Sequence, residues 1–192
     1  MNKIRMFIFI ALGILIFSCN KKLKEEKIAT KINIEDTLRI YAMQTKGVLG
    51  KNLINAINKQ GTEKAIEFCS TRAIVITDSM GTALNATIKR VSDQPRNSLN
   101  LANKDEIAFI NELKEKISKG EKLTSKITES NGKTVGYFPI ETNAMCLQCH
   151  GSKDSDIKPD VLKKINLLYP KDQATGYNEN QIRGIFVVTQ NN

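Results

Sequence analysis

The sequence predicts an α+β fold in which an antiparallel sheet is flanked by helices. Three observations carry that prediction. The first half of the chain holds long stretches with apolar residues at helical spacing, and the second half holds segments that alternate as strands do. Nowhere do helices and strands take turns in the regular order that a parallel sheet requires. The chain has 192 residues, 41% of them apolar and 26% charged. That is enough to bury the core of one ordinary domain behind a leading segment.

The helices come first. From Ile34 to Asn58, the residues Leu38, Met43, Val48, Leu49, Leu53, Ile54 and Ile57 can share one broad apolar face, with Gly47 and Gly50 as weak points. "NKQG" at 58–61 is a stop. Thr62 opens a second helix with Glu63 in its first turn, and this helix runs to Ser79 and closes at Gly81. "TIKRVSD" (87–93) alternates as a strand, and "QPRNSLNLANKDE" after it is rich in turn residues. Asn103 caps a third helix, Lys104 to Lys119, with Ile107, Phe109, Ile110, Leu113 and Ile117 at helical spacing. "KLTSKITESNGKTVGYFPI" is a hairpin folded at Asn131-Gly132. A short helix from Pro159 to Leu168 and a last strand, "RGIFVVT", complete the order.

The leading segment has its own logic. Lys3 and Arg5 precede an unbroken apolar run from Met6 to Phe17, followed by Ser18 and Cys19. This is the layout of a secretory signal, and the run falls short of the ~20 residues of an ordinary spanning helix. "IFSC" resembles the lipobox of bacterial lipoproteins. Residues 1–18 are therefore expected to be a signal peptide, Cys19 the lipidated first residue, 19–31 a charged tether and 32–192 the folded domain. An uncleaved anchor is the alternative. Either one sends the rest of the protein outside the cytoplasm; the first makes it an exported bacterial lipoprotein, facing the periplasm or held at the cell surface by its lipid.

The net charge is +9, from 29 basic and 20 acidic residues. Tryptophan is absent and no basic block sits among aromatics, which argues against nucleic acid as a partner. A basic surface suits anionic phospholipid or an acidic redox partner, and is also an ordinary solvated face.

The chemistry concentrates in "NAMCLQCHG" (143–151), which contains the single histidine, His150. A structural zinc ion wants four Cys or His ligands. The mature chain would offer Cys69, Cys146, Cys149 and His150, the last two awkwardly adjacent. A thiol-disulfide oxidoreductase wants its CxxC at a helix N-terminus within βαβ order, where the first thiol is acidified. That order is missing. The third reading is C-x-x-C-H as the attachment point of one haem c. Two thiols add across the two vinyl groups of one porphyrin edge, and the next residue delivers its imidazole to the iron. Such attachment takes place outside the cytoplasm, which matches the export signal. With one histidine, the sixth iron position falls to Met, Cys, Lys, water, a foreign ligand or nothing. Met145 abuts the attachment loop, Met43 belongs to the helical stripe as core, and Met80 remains. Cys69 lies with Ala65, Ile66, Ala73 and Ile76 on one helix face; read alone, it is as readily an inert buried cysteine.

Four motifs stand in order along the chain: "AIEFCSTRA", "IKRVSDQPRNSLN", "FPI" followed by "CLQCHG", and "ATGY" followed by "IRGIFVV". With them the chain, from Ile34 to Val188, resembles a family of small exported c-type haem proteins with a PAS-like fold, first catalogued as a domain of unknown function. The resemblance implies a PAS-like sheet with long N-terminal helices and an iron held between His150 and Cys69. The family's Arg-x-Ser-x-x-x-Arg-Asn core is matched by Arg90, Ser92, Arg96 and Asn97; Ser98 stands where the family has proline, and Asn100 fits the next position. Haem brings two propionates, and arginine pairs with carboxylates through a planar fork, so Arg90, Arg96 and Arg183 are candidates for them, or are solvated. Tyr137 and Tyr177 are candidates to line the pocket, or pack. Thiolate ligation would give a low potential. The expected function is a membrane-anchored monohaem cytochrome, not an enzyme. It would pass electrons, or sense redox state or NO, CO or O₂ for a separate partner protein. An exported thiol-disulfide oxidoreductase is the competing reading.

Overall fold

The computed structural model describes the backbone from residue 2 to 191 and the side chains from 34 to 191. The side chains of the expected signal peptide and tether, Cys19 included, lie outside the described residues. The chain divides into two compact units, Met1–Thr37 and Leu38–Asn192. The described part of the first is helical backbone, the start of α1 (Asn2–Ala83). Among the described residues no helix is long and apolar enough to cross a membrane.

Within the second unit α1 is broken at Gly61, whose backbone (φ 83°, ψ 169°) is not helical. The expected stop therefore falls at the right residue, and the helix resumes at once. Thr62 does not act as its cap, because its hydroxyl donates to Gln148 Oε1 at 2.9 Å. Nor is Gly81 the end. The helix runs to Ala83 and is closed by Asn85 in the left-handed region (φ 48°). Gly81 has a packing reason instead, since a Cβ there would sit 2.7 Å from the Ala86 carbonyl oxygen. The single apolar face expected over 34–58 splits in two. Leu38, Ala42 and Thr45 are buried at positions i, i+4 and i+7, whereas Met43 and Ile54 are exposed. Met43 is thus not core.

The remaining elements are β1 (Ala86–Val91), a 3-10 turn (Ser98–Asn100), α2 (Lys104–Ser118), β2 (Lys126–Ser130), β3 (Lys133–Glu141), α3 (Ala144–His150), α4 (Pro159–Leu168) and β4 (Ile182–Gln190). The strands form one antiparallel sheet in the order β1-β4-β3-β2. This is the predicted α+β, PAS-like arrangement, with the last strand in the middle of the sheet.

Local chemistry accounts for the elements. Asn131 and Gly132 both take positive φ (52° and 72°), the type I′ geometry that matches strand twist. Asn103 and Glu106 form a reciprocal capping box at the start of α2. The buried Glu106 carboxylate also receives Lys89 at 2.6 Å, tying β1 to α2. Alternation then sorts the sheet residues. Val91, Val135, Tyr137, Ile185 and Val187 pack with Phe109, Ile110 and Leu113 of α2. Arg90 stands opposite Phe186, which stands opposite Phe138, so these three share the other face. β1 stops at Val91, short of the expected Asp93. Ser92 leaves the ladder to accept from Ala102 N (3.0 Å) and donate to Asn100 O (2.9 Å), folding the turn-rich loop back on itself.

The β1–β4 contact depends on Gly184 (φ 157°), where a Cβ would lie 2.3 Å from the Val91 carbonyl oxygen. Gly184→Ala is expected to lower stability by about 2–3 kcal/mol. A urea midpoint unchanged from the parent would contradict this close approach.

Candidate functional site

The short helix α3 carries Cys146, Cys149 and His150. At seven residues it is too short to be stable alone, and its ends are fixed from outside. Asn143 caps it, accepting from Cys146 N. Before the cap, buried Thr142 donates its hydroxyl to Asn178 O at 2.6 Å and accepts from Gln181 N at 2.9 Å. At the other end Tyr177 N bonds His150 O (2.9 Å) and Gly176 N bonds Gly151 O (2.8 Å). One loop, 172–181, thus grips both ends of the helix. Gly151 lets the chain turn tightly here, since a Cβ would collide with Asp156 and the Leu147 carbonyl.

The same loop orients the imidazole. His150 Nδ1 lies 2.7 Å from Ala174 O and 3.4 Å from Arg183 Nε. Nδ1 cannot donate to one and accept from the other, and the shorter contact takes the proton. The proton therefore sits on Nδ1, and Nε2 carries a free lone pair. Burial, then the nearby charges of Arg183 and Arg96, hold the His150 pKa well below its usual value, against the Ala174 hydrogen bond. The ring is a neutral donor, as a metal-ligating histidine must be, and bonding of its other nitrogen to a carbonyl is the usual supporting arrangement.

Arg96 holds that carbonyl in place. Its Nε meets Asp172 Oδ1 at 3.1 Å, and Nη2 reaches Cys149 O at 2.6 Å and Ala174 O at 3.1 Å. The pair is buried, with side chains 10% and 6% exposed. Arg183 reaches Ser92 Oγ (2.9 Å) and Gln94 O (3.1 Å) through Nη1, and lies over the Tyr177 ring. Tyr177 in turn meets the His150 ring edge-on at 6.3 Å. Tyr137, by contrast, packs on Phe109 beneath α2, on the other face of the sheet.

Cys69 lies on α1, one turn beyond Ile66. Ile66 packs with Ile157, Val161 and Ile165, and Cys149 borders the same cluster. Lys164 of α4 braces this contact through Glu63 (3.1 Å) and Glu67 (2.5 Å). Cys69, Cys146 and Cys149 are all free thiols. Burial raises the Cys69 pKa, opposed by Arg90 and Arg96. Burial also pushes Cys149 up to about 11, and a charge on Cys69 pushes the same way. Tyr169, half-buried and coupled to Cys69, is pushed up to about 12, first by burial. Cys69, Arg90 and Tyr169 thus sense one another's charge, and Cys149 senses that of Cys69. Arg90, itself lowered by burial, keeps a buried Nε with no hydrogen-bond partner. A buried unpaired donor near the Cys69 thiol calls for an anion.

The candidates are therefore linked in two ways. Cys69 lies within electrostatic reach of Arg90, Arg96 and Cys149, and His150 within that of Arg183 and Arg96, while Arg96 is also bonded to Asp172 and two carbonyls. Among the described residues no group of three or more His, Cys, Asp or Glu is arranged to hold a metal ion. Sequence reasoning missed Asp172, Thr142 and the Ala174 carbonyl. Only "ATGY" pointed toward that loop.

This geometry defines a class: a PAS-like domain built around a clamped Cys-x-x-Cys-His helix, with a third, half-buried cysteine within its electrostatic reach. The family model described as "Tll0287-like: Tll0287" matches residues 20–191, and the chain belongs to that family, in line with the ordered motifs. Among solved structures the chain is similar to the cyanobacterial heme-protein Tll0287, with a TM-score of 0.57 at 19% identity. The match covers 77% of this chain and 90% of that one. No curated protein matches.

Arg96→Met would leave the Asp172 carboxylate buried without its counter-charge and is expected to cost about 3–5 kcal/mol. Arg96→Lys, which keeps the charge and loses the fork, should fall between. Equal stability of all three proteins in thermal unfolding would refute the clamp. In haem-free protein, Cys149 should be alkylated by iodoacetamide only as pH rises through about 11, because the thiolate is the reacting form. Full modification at neutral pH, read by peptide mass, would contradict that burial.

Proposed function

We propose that this chain is an exported, lipid-anchored monohaem c-type cytochrome. In this reading Cys146 and Cys149 would form the thioether bonds, and His150 Nε2 and Cys69 would hold the iron. The observation that carries it is the bond from His150 Nδ1 to Ala174 O beside two free thiols at the CxxC spacing. Orphaned Arg90 Nε fits the group's negative charge, whether of a propionate or of the Cys69 thiolate. A haem bound here would supply one-electron chemistry and affinity for small diatomic ligands.

The chain's own residues set the terms. Ala174 and Arg96 fix the imidazole, Arg183 and burial keep it neutral, and Arg90 favours the thiolate of Cys69 over its thiol. Thiolate ligation favours ferric iron and a low potential. The role that follows is extracytoplasmic electron transfer, or sensing of redox state or of NO, CO or O₂, with a separate partner protein.

Expressed with its signal intact in a host that matures cytochromes c, the protein should give a pyridine haemochrome that stays with the denatured polypeptide. No bound haem after full maturation would return the CxxC to thiol chemistry. Cys69→Ala should convert a low-spin ferric spectrum to high-spin, and an unchanged spectrum would exclude the thiolate ligand. Displacement of Cys69 by CO after reduction favours sensing; retention of both ligands with rapid exchange favours transfer.

A further inference from the structure

We infer that the outer face of α1 between Ile40 and Ile57 is a self-association seam, on which a second copy of this chain packs antiparallel. The residues are Ile40, Met43, Gly47, Gly50, Ile54 and Ile57, spaced 3, 4, 3, 4 and 3 apart, the a/d repeat of a helix–helix seam. They lie on a different face from buried Leu38, Ala42 and Thr45. Ile40 is 52%, Met43 44% and Ile54 41% exposed, although each is a large apolar side chain. Among the described residues nothing covers them.

The two glycines are the sharper sign. Glycine is the poorest helix former after proline, and both sit inside a helix. A Cβ added at Gly47 or Gly50 would meet nothing within 4 Å, so no packing within the chain requires either. Missing side chains at the middle of an exposed apolar stripe let another helix backbone come close.

The pattern also selects the occupant. It reads the same in both directions about its centre: Ile40 answers Ile57, Met43 answers Ile54, and Gly47 answers Gly50. In an antiparallel two-fold pair residue i meets residue j and j meets i, and here the residues so paired match in size. It sets Gly47 against Gly50 of the second copy, with the large side chains meeting at both ends. The seam is about 26 Å long. One helix face of that length falls short of the ~800 Å² per partner of a standard interface, so the dimer is of the weak, concentration-dependent kind. Lys46 and Lys51 flank it, and no acidic residue lies between Asp36 and Glu63. Repulsion between copies is therefore screened by salt, and the dimer strengthens as salt rises. Anionic lipid on the same face would behave in the opposite way.

Full-length Gly47→Cys and Gly50→Cys proteins test this. Neither change meets a neighbour, and both improve helix propensity. Mixed under mild oxidation, they should give a disulfide-linked dimer on non-reducing gels, more of it at high salt. Each alone should give several-fold less, because like positions are offset along the axis beyond disulfide reach. Met43→Lys with Ile54→Lys, both at exposed positions, should abolish the self-association seen by sedimentation. The inference is overturned if the mixture cross-links no better than either variant alone. It is equally overturned if association survives the double lysine change, or if the face instead binds anionic vesicles in a salt-sensitive way without cross-linking. None of these readouts depends on haem.

Discussion

The rest of the site hangs on one buried contact, the fork of Arg96 against Asp172. A buried ion pair is an uncertain source of stability, because the desolvation of both charges offsets much of their attraction. Its value here is positional. Arginine is the side chain that can meet a carboxylate and still reach carbonyls with its other nitrogen–hydrogen bonds. Arg96 uses that capacity to join three pieces of chain: the loop after β1, the end of α3 and the 172–174 turn. Ala174 is thereby held where it receives the proton of His150. An apolar pair of the same volume could fill the space, but it could not aim that carbonyl.

The sheet delivers these parts in register. β1 places Arg90 on the same face as Phe186 and Phe138, and six residues later the chain has turned far enough for Arg96 to stand at α3. Ser92, between them, donates to Arg183 O at 2.8 Å. It also receives Arg183 Nη1, so the first and last strands are fastened at the level of the site. Gly184 permits that closeness by having no side chain to oppose Val91. The Arg-x-Ser-x-x-x-Arg-Asn motif thereby gains a physical meaning for each member. Arg90 faces the thiols, Ser92 locks Arg183, Arg96 holds Asp172, and Asn97 caps the 3-10 turn through Leu99 N. Ser98 opens that turn at a position where a free N–H is ordinary and proline would serve equally.

Much of this was legible because it rests on local rules. The Asn131-Gly132 turn, the Asn103 cap and the Pro159–Leu168 helix follow from backbone preferences within a few residues. The Cys-x-x-Cys-His spacing is likewise local. What could not be read was decided by partners distant in sequence. Gly81 looks like a helix stop, and only the approach of Ala86 shows why a glycine is there. Thr62 looks like a cap and instead serves Gln148, 86 residues away. Asp172 had no reason to stand out from other surface acids until Arg96 was placed beside it. The apolar stripe of α1 misled for a related reason. Periodicity reports that residues can share a face, and the long α1 has one apolar face turned inward and another turned out.

Charge bears on what such a site would favour. Arg90, Arg96 and Arg183 converge on α3 and its surroundings, and Asp172, bonded to Arg96, also acts on Arg183. The histidine cannot add to the imbalance, since it is held neutral. The thiols cannot relieve it unaided, because burial keeps Cys69 and Cys149 protonated in the ordinary pH range. A pocket of this kind is cationic yet poorly nucleophilic, which protects its cysteines from stray oxidation. It also favours any group that brings negative charge and binds a neutral imidazole. Ligation of Cys69 as thiolate would release a proton and supply one such charge beside Arg90. On the proposed reading the same arginine, whose Nε has no hydrogen-bond partner, would favour retention of that thiolate.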